Sequence, residues 1–565
     1  MIDGMRYNIY EKLLKEYCDG LISVQYTGED KAFRGGFWCR ACKMIHGRAP
    51  DAVYPLAVMY KKTGERKYLD AAMMAFEYGE TMLCSDGSLY NDSQANWRYT
   101  TVFQAISVFE TLHSIGNLLS KVEKERMLER AKGMAEWLYC NLDETSRPNI
   151  NYCATNSLAL QYAGMFFNEE KYLRQAKHLA QYAYRHFTEN GLFYGESKNH
   201  DAYSPLKCRS VDIGYDLEES IPALVKYARL AKDEEALSYL AEKLLQMTDF
   251  ILPDGGLDNS FGCRNNKWTY WGSRTSDGCS PAYLILADRN PIFAEVAYRN
   301  TELLAKCSKN GFLYGGPHYE RHGEYPCVHH TFEHANALAF AVEEIEEKYL
   351  TPAPCALPVE KDWFKFYPEI NTYKFARGNY NATITGYDFD LPFSGHASGG
   401  TLTMLYGKNV GPMIAGSVTD YVLVEPTNMQ QVLDVKKHRS LVPRLIKAEN
   451  ENYSSSNYTH MRMWDKVEKD AVEVFVKTGL STKEDCCLDY SIDIQYRVNE
   501  DGLSMSVSNA KGTKFLLPLI AGKVEVQKGT VEKEEEIFFL TGGFIANEIT
   551  ILPNENGEIT FRIFE

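Results

Sequence analysis

A helical hairpin recurs through residues 1–350, and this repeat constrains the fold more than any other feature of the sequence. Apolar side chains return at helical spacing, and one helix of the unit stops repeatedly at an Asn-Gly or Asp-Gly pair, at 86–87, 190–191, 254–255 and 310–311. These residues tolerate positive φ, so the pairs mark helix ends and chain reversals. Such hairpins cannot bury their apolar faces alone and must stack on neighbours.

Two classes of helix alternate along this region. The first class is predicted near 51–61, 100–118, 154–166, 215–231, 279–288 and 329–348, and the second near 6–24, 67–83, 123–140, 170–186, 234–250 and 290–306. Six pairs suffice to close a ring, so the sequence predicts an (α/α)6 toroid. The segments that lead into the first class are long, and in a closed ring they all emerge at one end. Long loops on a rigid scaffold commonly carry binding and catalysis.

The pattern changes after residue 350. Residues 351–358 are rich in proline and predict a linker, and beyond them apolar residues alternate with a period of two. Short alternating segments with turn residues between them are typical of an antiparallel β-sandwich. We therefore predict an α+β multidomain chain, with a toroid at 1–350, a linker at 351–358 and a sandwich at 359–565.

Composition narrows the classes of partner. The formal net charge is −15 and no Lys/Arg-rich run stands out, which argues against binding nucleic acid. No apolar run reaches the roughly 20 residues that cross a bilayer, so no membrane partner is expected. The N-terminus has no signal-peptide core and the 14 cysteines form no small-domain framework, so a cytoplasmic chain is predicted, unless a leader has been removed. Homo-oligomerisation stays open.

The first long loop carries three candidates for binding or catalysis. Arg48 matches a substrate carboxylate through two hydrogen bonds, and His46 is a candidate to assist it. Asp51 precedes the first inner helix, where a carboxylate either caps free backbone N–H groups or takes part in catalysis.

Cys39 and Cys42 of the same loop form a CxxC pair. A zinc site needs two more ligands. Those could come from other loops, among Cys263, Cys327, His329 and His330. No second CxxC exists, so we prefer two packed cysteines and predict neither a metal nor another cofactor.

The later loops hold the remaining candidates. Asp212 precedes an inner helix, as a catalytic acid or as a cap. Trp268 and Trp271 predict a sugar platform, with Arg274 and Asp277 as polar anchors. A packed loop with an Arg–Asp ion pair is the alternative. Three further residues complete the candidate substrate-binding set: Asn156, His318 and His330.

Four motifs carry a resemblance to a known family: HGRAPDA (46–52), DIGYDLEE (212–219), WGSRTSDG (271–278) and CVHHTF (327–332). With them the chain resembles toroid-plus-sandwich enzymes that act on uronic-acid glycans. It looks most like glycoside hydrolase family 154, the β-glucuronidase group, with heparinase II/III-type lyases as more distant relatives. The resemblance implies a uronic-acid oligosaccharide or polysaccharide as the substrate.

Glycoside hydrolysis requires two carboxyl groups. The prediction is an exo-acting, β-glucuronidase-like hydrolase that removes a uronic acid, with Asp212 as the acid and Asp277 as its partner. Asp51 is a further acid at this end, and Arg48, Arg274 and His330 would hold the uronate.

Three alternatives remain. A lyase would remove a proton beside a neutralised carboxylate, and the residues available for that chemistry are Tyr215, Tyr152, Asn156, His330 and Arg274. An enzyme that hydrolyses unsaturated uronyl products is a related possibility. The third alternative is a non-catalytic glycan-binding protein. His396, in the β-region, is more typical of a turn than of a site.

Overall fold

A computed structural model describes residues 8–92, 95–146, 148–273, 282–389, 395, 397–423 and 434–565. Helices dominate the N-terminal part and antiparallel strands the C-terminal part, which confirms the predicted α+β architecture. Within the described residues, none of the helices combines the length and the apolar composition needed to cross a bilayer.

The helices alternate between an outer and an inner layer. The outer helices are α1 (Ile9–Ser23), α3 (Arg66–Tyr78), α5 (Lys121–Asn141), α7 (Glu170–Tyr184), α10 (Glu234–Met247) and α12 (Pro291–Lys306). The inner helices are α2 (Val53–Thr63), α4 (Thr101–Ile115), α6 (Ile150–Phe167), α8 (Ile213–Tyr215) with α9 (Ile221–Ala231), α11 (Ala282–Ile285) and α14 (Val328–Glu344). Two short helices, α13 (Tyr319–His322) and α15 (Glu347–Leu350), complete the series among the described residues.

Inner helices pack side by side around the ring. α2 contacts α4, α4 contacts α6, α6 contacts α9, and α9 contacts α11. α14 returns to pack on α1 and α2, which joins the end of the helical region to its beginning. The predicted toroid is therefore present, since residues more than 250 positions apart in sequence share one helical layer.

The glycines at the four predicted helix ends have the positive φ that the sequence analysis expected. Gly87, Gly191, Gly255 and Gly311 all have positive φ, between 80° and 88°. Each glycine lies in a tight turn whose flanking residues pair, as in the bridges Leu83–Leu89, Phe187–Phe193 and Ile251–Leu257. The recurring Asn-Gly and Asp-Gly pairs of the sequence therefore adopt the same turn conformation in each unit.

Polar side chains link the inner helices across the ring. Lys226 Nζ on α9 donates to Glu110 Oε1 on α4 at 2.6 Å, and both side chains are buried. Glu343 on α14 accepts from Ser114 on α4 at 2.6 Å and pairs with Lys61 on α2. All five residues lie in the middle or the C-terminal half of their helices.

The C-terminal strands form antiparallel sheets. The strands are β7 (Trp363–Tyr367), β8 (Thr372–Arg377), β9 (Tyr380–Thr385), β10 (Thr401–Gly407), β11 (Gly411–Ala415), β12 (Arg444–Lys447), β13 (Asn450–Ser454), β14 (Arg462–Val467), β15 (Ala471–Thr478), β16 (Ile492–Asn499), β17 (Gly502–Ser508), β18 (Thr513–Leu519), β19 (Lys523–Lys528), β20 (Thr530–Phe539), β21 (Phe544–Leu552) and β22 (Ile559–Phe564). Earlier two-stranded hairpins lie in the loops of the helical region: β1 (Trp38–Cys39) with β2 (Met44–Ile45), β3 (Trp268–Thr269) with β4 (Gly272–Ser273), and β5 (Ser308–Lys309) with β6 (Phe312–Leu313).

The sheets of this C-terminal part have the strand orders β11-β10-β9-β8-β7, β13-β12-β18-β21-β20 and β14-β15-β16-β17-β22-β19. Apolar side chains from all of them meet in one core, with Ile384, Phe515 and Phe561 among its members. Alternation along the strands produces this core, because every second side chain points to the same face.

Buried polar contacts join the two parts of the chain. Lys374 on β8 pairs with Asp258 of the helical part, and its Nζ lies 3.0 Å from the Thr383 hydroxyl. Although burial opposes ionisation, the Lys374 ammonium and the hydrogen bonds from hydroxyl groups hold the pKa of Asp258 below its usual value. A carboxylate of this kind stabilises the fold above its unfolded-state pKa and loses that contribution as the pH falls.

We expect Lys374→Met to destabilise the protein by about 3–5 kcal/mol at neutral pH, because it leaves the Asp258 charge buried without its ammonium partner. The loss should shrink as the pH falls and Asp258 takes up a proton. Lys365→Met is the matched control, since Lys365 pairs opposite Lys374 on β7 but is partly exposed and lies 3.5 Å from Asp249. Thermal unfolding of both variants across pH measures the difference, and equal losses would contradict the assignment.

Candidate functional site

The inner helices begin at one end of the ring, and the long loops lead into that end. Arg48 and Asp51 lie just before α2, Asn151 lies in the first turn of α6, and Asp212 is the N-terminal cap of α8. His330 lies in the first turn of α14. Helix N-termini present unpaired N–H groups and partial positive charge, so this end favours anionic groups.

Tyr215 contacts two cationic side chains at this end, Lys267 and Arg264. Lys267 Nζ donates a hydrogen bond to the Tyr215 hydroxyl at 2.9 Å, and the Arg264 guanidinium carbon lies 4.6 Å from the centre of the tyrosine ring. Tyr215 and Lys267 are buried. An ammonium that donates to a phenol oxygen stabilises negative charge there, so this hydroxyl is suited to exchanging a proton with a ligand.

Asp212 holds Tyr215 and Arg264 in place through their backbones. Its Oδ1 accepts from the Tyr215 N–H at 3.1 Å and its Oδ2 from the Arg264 N–H at 3.0 Å. Burial raises the pKa of this carboxyl. The structure therefore places Asp212 as a cap, the alternative to the catalytic acid that its sequence position also allowed.

The helix that carries Tyr215 contains one turn of π-helix, Asp216–Ser220, between α8 and α9. π-turns inside helices are frequent at functional sites. Within this turn the Asn151 amide donates to Glu219, which links α6 to the π-turn. The pKa of Asp216 is well above its usual value because of burial and the neighbouring carboxyls of Glu196, Asp212 and Glu219.

Arg48 takes part in a buried ionic network. Its Nε donates to Asp51 Oδ2 at 2.7 Å and its Nη2 lies 3.3 Å from Glu333 Oε1. His329 Nε2 also lies 3.3 Å from Glu333 Oε1, and the Phe103 ring covers the guanidinium. Two carboxylates of the protein thus stand where the sequence analysis expected the carboxylate of a substrate.

The CxxC cysteines come together with His46 of the same loop and with Cys327 at the start of α14. Cys39 Sγ lies 3.7 Å and Cys42 Sγ 3.6 Å from Cys327 Sγ, and His46 Nε2 lies 3.9 Å from the same atom. All four side chains are buried. The loop containing His46 is therefore joined to the start of α14 by sulfur and imidazole groups.

The predicted aromatic platform is wrong. Trp268 and Trp271 are fully buried, and their indole N–H groups donate to the carbonyls of Leu257 at 3.0 Å and Tyr314 at 2.8 Å. Their ring faces pack against protein and offer no surface to a sugar. An exposed ring at this end is Trp97, 42% exposed, whose Nε1 donates to the Tyr152 hydroxyl at 2.8 Å.

The other predicted residues have varied positions. Asn156 is buried and donates to the Leu142 carbonyl at 2.8 Å, which is a contact within the fold. His318 accepts from the Ile545 N–H at 2.9 Å and so lies at the junction with the β-sheets. The buried His330 ring lies 5.8 Å from that of Trp271. Arg274, Asp277 and His396 lie outside the described residues.

Sequence reasoning named Tyr215 but missed the residues that surround its hydroxyl. Arg264 and Lys267 belong to the segment RNNK, 264–267, directly before Trp268. Two basic residues directly before an apolar and aromatic segment are a sequence signal of buried cations. Buried cations are rare without a partner, so such residues are candidates for a functional site.

Comparison with known proteins identifies the family. The profile of the ulvan lyase N-terminal domain matches residues 14–359, and that of the ulvan lyase C-terminal domain matches residues 364–543. A broad-specificity ulvan lyase from Formosa agariphila is 32% identical over 578 residues, which cover 98% of this chain and 90% of that relative.

Solved structures support the fold. The chondroitin AC lyase of Streptomyces coelicolor A3, solved with chondroitin sulphate, has a TM-score of 0.52 at 8% identity, covering 98% of this chain and 79% of that one. A mutant of the heparan sulfate lyase HepC from Pedobacter heparinus has a TM-score of 0.50 at 11% identity, covering 98% and 82%. At such identities the likeness shows a shared toroid-plus-sheet architecture and nothing finer.

These matches correct the predicted activity. The β-glucuronidase-like hydrolase and the resemblance to glycoside hydrolase family 154 are wrong, because both matching profiles and the full-length relative are of ulvan lyases. The more distant resemblance, to lyases of the heparinase type, agrees with the shared architecture. The chain belongs to the ulvan lyase family.

Proposed function

We propose that this chain is a polysaccharide lyase that cleaves a uronate-containing polysaccharide of the ulvan type by β-elimination. The similarity that supports the substrate class extends over 98% of the chain, to a relative described as a broad-specificity ulvan lyase. The observation that carries the chemistry is the Tyr215 hydroxyl, which accepts a hydrogen bond from Lys267 at the loop-rich end of the toroid.

The reaction removes the proton on C5 of the uronate and breaks the bond between C4 and the glycosidic oxygen. The electron pair of the C5–H bond becomes the C4–C5 double bond, and the leaving oxygen takes up a proton. Tyr215 in its phenolate form accepts the C5 proton and, as the phenol, returns a proton to the leaving oxygen. Lys267 stabilises the phenolate that is present before the first transfer and is restored by the second.

The C5 proton becomes acidic enough only when the neighbouring carboxylate is neutralised. We assign this task to Arg264, whose guanidinium lies against the Tyr215 ring. The Asn151 amide, oriented by Glu219, is a second donor at the same end. Such donors lower the barrier because negative charge moves onto the carboxylate as the proton leaves.

Tyr215→Phe should lower turnover about a hundredfold or more, since it removes the proton-transferring oxygen and keeps the ring. The readout is the ultraviolet absorbance of the new C4–C5 double bond on ulvan, followed together with reducing ends. Tyr227→Phe is the control, because Tyr227 is an equally buried tyrosine near the far end of the same helix. Reducing ends without absorbance, or normal turnover in Tyr215→Phe, would refute the lyase assignment.

Trp97→Ala should raise KM roughly fivefold and leave kcat nearly unchanged, because ring stacking is worth about 1 kcal/mol in binding. Trp464→Ala is the matched control, since Trp464 is 49% exposed but lies on β14 of the sheet region. Steady-state kinetics on ulvan oligosaccharides separate the two constants. A fall in kcat alone would exclude a stacking role for Trp97.

The carboxyl group of Glu196 lies next to the Arg264 guanidinium, with Glu196 Oε2 3.1 Å from Arg264 Nε. Burial, opposed by Arg264, raises the pKa of Glu196 to about 7. Because the folded pKa lies above the unfolded one, ionisation of Glu196 costs stability progressively between about pH 4.5 and pH 7. Glu196→Gln should therefore gain stability relative to the parent protein by up to about 3 kcal/mol over that range.

Thermal unfolding of Glu196→Gln and of the parent protein, at pH 5 and at pH 8, measures this effect. Glu136→Gln is the control, because the pKa of Glu136 on the surface of α5 is lowered by Lys171. A difference between Glu196→Gln and the parent protein that does not change with pH would contradict the raised pKa.

A further inference from the structure

We propose that Cys39, Cys42, His46 and Cys327 bind a structural zinc ion that holds the first long loop to the start of α14. The four ligand atoms lie within 4.8 Å of one another, and all four side chains are buried. This inference does not depend on the lyase chemistry, because none of the four residues takes part in that mechanism.

The distances fit a tetrahedral site. A tetrahedron with Zn–S bonds of about 2.3 Å has S···S edges of about 3.8 Å. The observed S···S distances from Cys327 are 3.7 Å to Cys39 and 3.6 Å to Cys42. A disulfide requires about 2.0 Å, so these sulfurs are not bonded to one another. All four donor atoms lie within 4.8 Å of one another, as the ligands of a single ion do.

The backbone around the CxxC pair has the shape of a metal-binding turn. The hairpin of β1 and β2 pairs Cys39 with Met44, so the chain reverses over residues 40–43, which include Cys42. Lys43 has φ of +55°, which is uncommon for a residue other than glycine. The Cys42 N–H points to Cys39 Sγ at 3.4 Å, and such a donor stabilises negative charge on a thiolate.

The donor set indicates zinc and a structural role. Three sulfurs and one imidazole nitrogen form a closed four-coordinate set, which is typical of structural zinc sites. Four protein ligands leave no position for water or substrate, so the ion would not act in catalysis. A second group of possible ligands, His460, Asp485 and Cys487, is exposed and lacks this enclosure.

The site lies where it can order the candidate active site. Cys327 is the N-terminal cap of α14, whose first turn carries His330. His46 stands two residues before Arg48, which contacts Glu333 on the same helix. A zinc ion here would fix the loop against α14 at the point where the ring closes. Metal binding of this kind contributes directly to folding free energy.

The first experiment measures zinc in the full-length protein, purified without chelator, by inductively coupled plasma mass spectrometry. We expect about one zinc per chain. Replacement by Co²⁺ should give the sulfur-to-cobalt charge-transfer absorption and the visible bands of a tetrahedral thiolate site, which is a readout independent of activity. Absence of both zinc and these bands, or a Cys39–Cys42 disulfide in the intact protein, would overturn the proposal.

Variants locate the site. Cys42→Ala and Cys327→Ala should each lower the zinc content about tenfold or more and lower the unfolding temperature. Cys18→Ala is the control for a buried cysteine outside the cluster, and Cys487→Ala is the control for the exposed group. Zinc lost from either control, or retained in both cluster variants, would refute the assignment. If a cluster variant does not fold, the cobalt spectrum of the parent protein still tests whether a tetrahedral thiolate site is present.

Discussion

The packing of α14 against α1 and α2 is the contact on which the rest of this structure depends. It joins α14 to two helices near the start of the chain and converts a row of hairpins into a ring. At this joint Arg48 is buried between Asp51 and Glu333. Burying three charges is costly unless their geometry satisfies all of them, so the network favours one register of α14 over others rather than adding much stability.

The ring also explains why the acidic residues in the loops led to the wrong prediction of a glycoside hydrolase. Each long loop must end at a helix N-terminus, where a carboxylate satisfies free N–H groups whether or not it takes part in catalysis. Asp212 and Asp51 occupy such positions, and in the structure they bind backbone groups and an arginine. A lyase needs instead a proton-transferring group and a cation that neutralises the carboxylate of the substrate, and the proposed function assigns these tasks to Tyr215 and Arg264.

Local patterns were sufficient to predict the architecture. The spacing of apolar residues and the Asn-Gly and Asp-Gly stops gave the ring of hairpins, since helix period and positive φ are properties of short segments. The burial of Trp268 and Trp271 could not be read in the same way. Their indole N–H groups donate to the carbonyls of Leu257 and Tyr314, which are 11 and 43 residues away in the sequence. An aromatic residue in a loop is compatible with either a platform or a core.

The group formed by Cys39, Cys42 and Cys327 likewise combines a local sequence pattern with a contact between distant segments. The CxxC pair is visible in the sequence, whereas Cys327 joins it only because α14 returns to the first loop. Ligand sets completed across a ring cannot be found by spacing alone, although Cys327 was among the candidates.

The net charge of the chain likewise does not predict the charge of its ligand. The chain carries −15, yet the proposed substrate is anionic. In the proposed function the attraction comes locally from Arg264, Lys267 and the positive ends of the inner helices, over distances shorter than the screening length of about 8 Å. Repulsion from the distant surface is screened by salt, whereas the enclosed groups around Tyr215 are not, so the short-range charges decide which anion binds.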